Sequence, residues 1–240
     1  MKEEIKKLND IDNITTLGNR DSKIGPYRFY KTISESKVED KVSIDYYRSC
    51  LEKINFCIQD LNYELELIDK GEFNRKDITY IILCVTWIKE SFRNIKSDLN
   101  KVVSKNLSRN VDLEKYRKFI EALRSFSVGH PMSTNQHIDY GFDGTLINVD
   151  IGKIKYNAGV TLFFDSQKSY HLSPDGLIEV DSIKEDDFYF RVYNKVGDGA
   201  MFSKHIGCSF EDIYAVAQAY IDRLYEIDKL IRRLARNKEI

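Results

Sequence analysis

The chain has 240 residues, of which 42% are hydrophobic, 31% charged and 12% aromatic. This composition is typical of a folded globular protein and excludes an intrinsically disordered chain. The 37 basic and 38 acidic residues nearly cancel, which excludes a uniformly basic nucleic-acid or membrane binder. With only 3 prolines and 12 glycines, the sequence favours long helices over many short strands.

The cysteines are scattered and form no C-x-x-C pair, so they predict buried free thiols rather than a zinc site or a disulfide framework. No segment approaches the roughly 18 apolar residues that a transmembrane helix needs. The N-terminal sequence alternates in charge and lacks the apolar region of a secretion signal. We therefore expect a cytoplasmic protein that has no membrane contact.

Residues 1–42 are polar and weakly periodic, and we predict an N-terminal arm there. From Ser43 onward, apolar residues recur at alternating steps of four and three, which predicts a long amphipathic helix that ends at Gly71. The same spacing predicts a second helix from Asp77, its N-cap, to about Leu99. Because the linker is short, the two helices should pack antiparallel.

A third helix is predicted from Asp112 to about Gly129, and a fourth begins near Ser209. Between them, short β-branched and aromatic segments predict a small antiparallel sheet at about 145–195. The expected fold class is α+β, mainly α: an up-and-down four-helix bundle with this sheet inserted between the third and fourth long helices. Residues 43–240 should form a single domain.

Arg124 lies near the end of the predicted third helix, six residues before His130. On a helical wheel it is about 20° from Leu113, which predicts that its guanidinium points into the core. A histidine can transfer protons near neutral pH, and a neighbouring guanidinium can stabilise a charged phosphorane. These groups suffice for metal-independent cleavage of RNA, because the substrate's own 2′-hydroxyl is the nucleophile.

An inward-facing arginine can equally have a structural role. Arg117 lies on nearly the same line of the helix as Arg124, and Glu121 is one turn away. Glu121 could therefore pair with either arginine and hold the bundle together. Under this alternative the protein is a non-catalytic dimeric binding or scaffold module.

An arginine, five intervening residues and a histidine in an all-helical up-and-down bundle resemble the R-x(4 to 6)-H signature of the HEPN superfamily. The resemblance covers residues 43–130 and 207–238. It implies a homodimer in which two such motifs meet in a cleft, and a metal-independent endoribonuclease of the toxin or phage-defence type, with an antitoxin or defence partner. In that setting His130 transfers protons and Arg124 stabilises the phosphorane.

The loop after His130 supplies further polar side chains. Candidate substrate contacts are Arg117, Thr134, Asn135 and His137. We predict no metal and no cofactor, because the spacing of the acidic and histidine residues matches no standard metal site and no phosphate-binding glycine motif occurs. The two remaining histidines, His171 and His205, are predicted to lie at the surface or in turns.

Although the total charge is balanced, basic and acidic residues are concentrated in different segments of the chain. Residues 101–124 hold seven basic and three acidic side chains, whereas residues 139–190 hold four lysines and ten acidic side chains. The net acidic charge of the predicted sheet opposes phosphate binding, and its aromatic residues are expected to form core rather than to stack on bases. The basic third helix leaves room for a local phosphate-binding cleft.

Overall fold

A computed structural model describes residues 4–15, 44–98, 107, 112–129, 145–154, 168–195 and 201–237. Within these ranges the chain forms five α-helices, a π-helical turn and a five-stranded sheet. The helices are α1 (Asp12–Thr15), α2 (Ile44–Lys70), α3 (Arg75–Asp98), α4 (Asp112–Arg124) and α5 (Phe210–Asn237), and the π-helical turn is Ser125–Gly129. The strands are β1 (Thr145–Lys153), β2 (Lys168–Ser173), β3 (Gly176–Val180), β4 (Phe188–Lys195) and β5 (Met201–Cys208).

The predicted glycine cap at the end of α2 is confirmed. Gly71 has a φ of 71°, a left-handed conformation that glycine adopts without steric cost. Its N–H donates to the Ile68 carbonyl at 2.9 Å, and the Glu72 N–H donates to the Leu67 carbonyl at 2.9 Å. These two bonds form a Schellman motif, which satisfies carbonyls that the helix end would otherwise leave unpaired.

The start of α3 differs from the prediction by a few residues. Asn74 is the N-cap, because its Oδ1 accepts the N–H of Lys76 at 2.9 Å. Asp77, the predicted cap, instead lies within the first turn and accepts the N–H of Asn74 at 2.7 Å. The reciprocal bonds resemble a capping box and fix where the helix begins.

The predicted antiparallel packing of α2 and α3 is confirmed. The hydroxyl of Tyr80 donates to Asp60 at 2.6 Å, and the Lys53 ammonium lies 3.6 Å from the centroid of the Trp87 ring. The second contact is seven residues earlier on α2 and seven residues later on α3, as antiparallel helices require. All four cysteines are buried and free, as predicted.

The sheet has the strand order β1-β4-β5-β2-β3. Strand β4 is antiparallel to both β1 and β5, β2 forms a hairpin with β3 through the turn Ser173–Gly176, and β2 runs parallel to β5. The sheet is therefore mixed, and helices lie on both of its sides. The predicted four-helix bundle with a small antiparallel insertion is wrong, because this sheet forms a layer of the fold.

Strand β5 lies outside the predicted 145–195 insertion, and its sequence explains why. Ser203, His205 and Gly207 on one face of β5 are buried, and so are Ile206 and Cys208 on the other face. A strand that is buried on both faces lacks the alternation of polar and apolar residues by which strands are recognised. Residues 155–167 of the predicted sheet segment lie outside the described residues.

Phenylalanine rings join the sheet to the helices. The ring of Phe126 in the π-helical turn lies 5.6 Å from that of Phe190 on β4. The ring of Phe210 at the start of α5 lies 5.1 Å from that of Phe188 on β4 and 5.0 Å from that of Phe73 in the α2–α3 turn. Phe188 and Phe190 thus belong to a core that the sheet shares with the helices, as predicted. The tyrosines of the segment, Tyr170, Tyr189 and Tyr193, were also expected in the core but are only partly buried and lie outside it.

Part of the predicted N-terminal arm also packs into this core. Leu8, Ile11 and Ile14 are buried. The backbone N–H of Leu8 donates to Asn62 Oδ1 at 2.7 Å, and Asn62 Nδ2 donates to the Leu8 carbonyl at 3.1 Å. Residues 4–15 are therefore held against α2, whereas residues 16–43 of the arm lie outside the described ranges.

Shortening a buried side chain tests whether the sheet and the helices share one core. Phe190 is fully buried between the rings of Phe126 and Phe188. We expect Phe190→Ala to lower the free energy of unfolding by about 3–5 kcal/mol, the usual loss for a buried ring. Phe56 on α2 is 60% exposed. The matched variant Phe56→Ala should therefore change the free energy of unfolding by less than about 0.5 kcal/mol. Urea denaturation followed by circular dichroism measures both, and equal small effects would contradict the shared core.

Candidate functional site

The predicted catalytic motif lies at the junction of α4 and the π-helical turn. Arg124 is the last residue of α4, and the turn comprises the five residues that separate it from His130. His130, Thr134, Asn135 and His137 lie outside the described residues. Helices with the wider π-type hydrogen-bond pattern are rare and often occur at functional sites.

The side chain of Arg124 is exposed, so the predicted inward orientation is wrong. Leu113, which is close to Arg124 on the helical wheel, lies at the edge of the buried arc of α4 and does not mark its centre. Phe119 and Leu123 lie nearer the centre of that arc, together with Phe126 beyond the helix. Arg124 is one residue, or about 100°, past Leu123, and this rotation brings it to the surface.

Arg117 and Glu121 form the structural ion pair that the sequence suggested as an alternative. Arg117 Nη1 donates to Glu121 Oε2 at 2.7 Å, and Arg117 Nη2 donates to Glu114 Oε1 at 2.6 Å. The hydrogen bond with Glu114 and that with Glu121 raise the pKa of Arg117. A phosphate that contacts Arg117 would have to displace one of these carboxylates.

Glu121 also links α4 to α3. The ammonium of Lys89, which is 5% exposed, lies 3.1 Å from Glu121 Oε1 and 2.9 Å from Glu90 Oε1. Both oxygens of Glu121 are thus engaged by Lys89 and Arg117. The side chain of Arg124 makes no hydrogen bond or ion pair with the residues that the structure describes, so a structural role through Glu121 belongs to Arg117 and not to Arg124.

A second cluster of polar side chains lies on one face of the sheet. Asp150 on β1, Arg191 on β4 and His205 on β5 are directly opposite one another and form a row across three strands. Arg191 Nη2 donates to Asp150 Oδ2 at 2.8 Å. We call this side of the sheet the polar face. Its residues are Asp150, His171, Tyr189, Arg191, Tyr193, Ser203 and His205. The rings of Phe188 and Phe190 are on the opposite face.

The surroundings of His205 disfavour its charged form. It is 7% exposed, and the edge of the Tyr189 ring packs against it with the ring centroids 5.5 Å apart. Burial, and secondarily the charge of Arg191, lower the pKa of His205. A neutral imidazole carries one N–H donor and one acceptor nitrogen.

The surroundings of His171 shift its pKa in the opposite direction. Its Nδ1 lies 2.7 Å from Asp186 Oδ1, and its Nε2 lies 4.0 Å from Asp212 Oδ2 at the start of α5. The hydrogen bond with Asp186 raises the pKa of His171. Burial raises the pKa of Asp212. A side chain at Gly207 would collide with the Asp186 carboxylate, so glycine at that position is what lets Asp186 reach the imidazole.

The two histidines of the polar face were not predicted as functional residues. The interpretation of His205 as a surface or turn residue is wrong, because it is a buried residue of β5. His171 is on β2 and not in a turn, with a side chain that is 31% exposed. The position of His205 on this face could be predicted only if β5 were first recognised as a strand. Residues two apart, such as Ser203, His205 and Gly207, share a face in a strand but not in other structures.

No protein-family model, curated protein or solved structure matches the chain. Within the described ranges, no group of three or more histidine, cysteine, aspartate or glutamate side chains is arranged to hold a metal ion. None of the helices described combines the length and apolar content needed to cross a bilayer.

The different surroundings of Glu121 and Arg124 predict different effects on stability. Glu121→Ala removes a partner of both Lys89 and Arg117, and we expect it to lower the free energy of unfolding by about 1–3 kcal/mol. Arg124→Ala on the same helix should change it by less than about 0.5 kcal/mol. Urea denaturation of both variants measures this, and equal losses would restore a structural role for Arg124.

The two histidines should titrate on opposite sides of the ordinary histidine pKa of about 6.5. NMR titration of the ring protons should give His171 a pKa above that value and His205 a pKa below it. Asp186→Asn should lower the pKa of His171 while that of His205 keeps its value. An unchanged pKa for His171 in this variant would contradict the assigned contact.

The same contact predicts a pH dependence of stability. Because the folded pKa of His171 is raised, the stabilisation by Asp186 is complete below about pH 6.5 and is lost as the pH rises through the folded value. The difference in free energy of unfolding between the wild type and Asp186→Asn should therefore shrink across that window. A difference that grows with pH would exclude the pair as its source.

Proposed function

We propose that this protein is a metal-independent endoribonuclease of the toxin or phage-defence type. His130 transfers protons, and Arg124 stabilises the negatively charged phosphorane formed when the RNA 2′-hydroxyl attacks the adjacent phosphate. Thr134, Asn135 and His137 contact the RNA. The products expected from this chemistry are a 2′,3′-cyclic phosphate and a free 5′-hydroxyl.

The observation that carries the proposal is the surroundings of Arg124. Its side chain is exposed at the end of α4, and Glu121, its candidate structural partner, is bound by Lys89 and Arg117. An arginine that the described fold does not use as an ion-pair partner is able to meet a phosphate. Its position beside a π-helical turn is typical of functional segments, and the surrounding sequence is basic.

The proposal is tested with purified full-length protein and RNA in the presence of EDTA. We expect the wild type to cleave RNA and to spare a strand whose 2′-hydroxyls are replaced by hydrogen, because the nucleophile is then missing. His130→Ala should lower the cleavage rate by about 10²–10⁴-fold, the usual contribution of a general acid or base. Arg124→Ala should lower it by about 10²–10³-fold.

Arg93→Ala is the matched control for Arg124→Ala. Arg93 is an exposed arginine of α3 that pairs with Glu90 at the surface in the described structure, so its loss should leave both stability and cleavage unchanged. If the wild type, His130→Ala and Arg124→Ala cleave equally, or if none of them cleaves, the protein is not this enzyme. A non-catalytic binding module is then the better description.

The same proposal includes a homodimer in which two Arg124–His130 motifs face one cleft, and an antitoxin or defence protein as partner. Mixing an inactive His130→Ala chain with an inactive Arg124→Ala chain tests the shared cleft. If each chain supplies one of the two groups to a joint site, the mixture recovers part of the activity that both variants lack.

A further inference from the structure

The polar face concentrates buried polar atoms that the protein leaves without partners. In the described part of the chain, five buried side-chain nitrogen or oxygen atoms lack a hydrogen bond. Three of them are Arg191 Nε, Ser203 Oγ and His205 Nε2, all on one face of the neighbouring strands β4 and β5. Each such atom costs about 1–3 kcal/mol when it is buried unpaired, so a cluster of three is expensive.

The register places these three side chains close together. Arg191 and His205 are directly opposite in the antiparallel pair, which sets their Cβ atoms about 5 Å apart. Ser203 is two residues from His205 on the same strand, or about 7 Å along it. The three side chains therefore start within about 7 Å of one another on one face, a span comparable to that of a small ligand.

The hydrogen-bonding capacity of the three atoms indicates which class of ligand they can bind. Arg191 Nε carries a hydrogen and can only donate, while the serine hydroxyl and the neutral imidazole can each donate one hydrogen bond. A cation is excluded by the guanidinium. An oxyanion, with several lone pairs on adjacent oxygens, is the group that accepts from all three, and arginine binds such groups strongly.

We propose that the polar face binds the oxyanion group of a small molecule, a phosphate or a carboxylate, through Arg191 Nε, Ser203 Oγ and His205 Nε2. The Asp150 carboxylate holds the guanidinium in place from the side, and Tyr193 lies beside it with its ring centroid 5.3 Å from Arg191 Cζ. The site is distinct from Arg124, because Phe126 of the adjoining π-helical turn packs on the other face of the sheet.

The burial of the donors limits the size of the ligand. Ser203 is 4% exposed, and each of the three orphaned atoms is itself buried. A ligand can reach atoms this deeply buried only if neighbouring side chains move aside, which a compact group requires least, whereas an RNA backbone would remain outside. The ligand is therefore a compact phosphate or carboxylate compound rather than a nucleic acid.

Thermal unfolding of the full-length protein tests the site, with inorganic phosphate and acetate as probes and chloride at matched ionic strength as reference. A ligand that binds only the folded state raises the melting temperature in a saturable way. We expect such a rise for at least one of the two probes. The stronger of the two identifies whether the site suits phosphate or carboxylate.

Ser203→Ala and Ser127→Ala form a matched pair of variants. Both remove a buried hydroxyl that has no partner, but Ser127 is in the π-helical turn, away from the polar face. Ser203→Ala should weaken the apparent affinity for the probe about tenfold, and Ser127→Ala should respond as the wild type does. Arg191→Lys, which keeps a positive charge beside Asp150 but has no Nε–H, should weaken it at least as much.

The outcomes separate specific binding from a general salt effect. Anions such as phosphate stabilise most proteins by exclusion from their surface, and that effect is the same in all variants. A saturable rise that is weakened in Ser203→Ala and Arg191→Lys supports the site. If neither probe raises the melting temperature above chloride, or if all variants respond equally, the proposal fails and water satisfies these atoms.

Discussion

The packing of phenylalanine rings between the sheet and the helices is the interaction on which the rest of the structure depends. Phe190 and Phe188 on β4 contact Phe126 of the π-helical turn and Phe210 of α5. Aromatic pairs of this kind contribute about 0.5–1.5 kcal/mol each beyond the apolar area that they bury. These ring contacts hold the end of α4 against one face of the sheet, and the opposite face carries the polar side chains.

The polar face shows how one sheet can shift the pKa values of two histidines in opposite directions. His205 is buried beside the guanidinium of Arg191, and both features disfavour a second positive charge. His171 is partly exposed and bound to a buried carboxylate, Asp186, which favours its charged form. The close approach of Asp186 depends on Gly207, so a backbone feature of β5 sets the electrostatics of β2.

Local sequence patterns predicted the helices well and the sheet poorly. The seam of α2, its glycine cap at Gly71 and the start of α5 follow from spacing and capping chemistry, which act over a few residues. The role of β5 does not, because Ser203 and His205 are polar residues in buried positions that only the neighbouring strands create. Arg124 was misplaced for a related reason: the buried arc of α4 is set by the sheet against which Phe126 packs.

We infer that the sheet and the helices form one cooperative core that positions both the Arg124 motif and the polar face. Native-state hydrogen exchange of the backbone amides tests it most directly, since it gives a free energy of opening for each element. In one cooperative core, the slowest amides of β4 and β5 exchange with the same free energy as those of α3 and α5. A sheet that opens at a clearly lower free energy than the helices would instead be a separate insertion with its own stability.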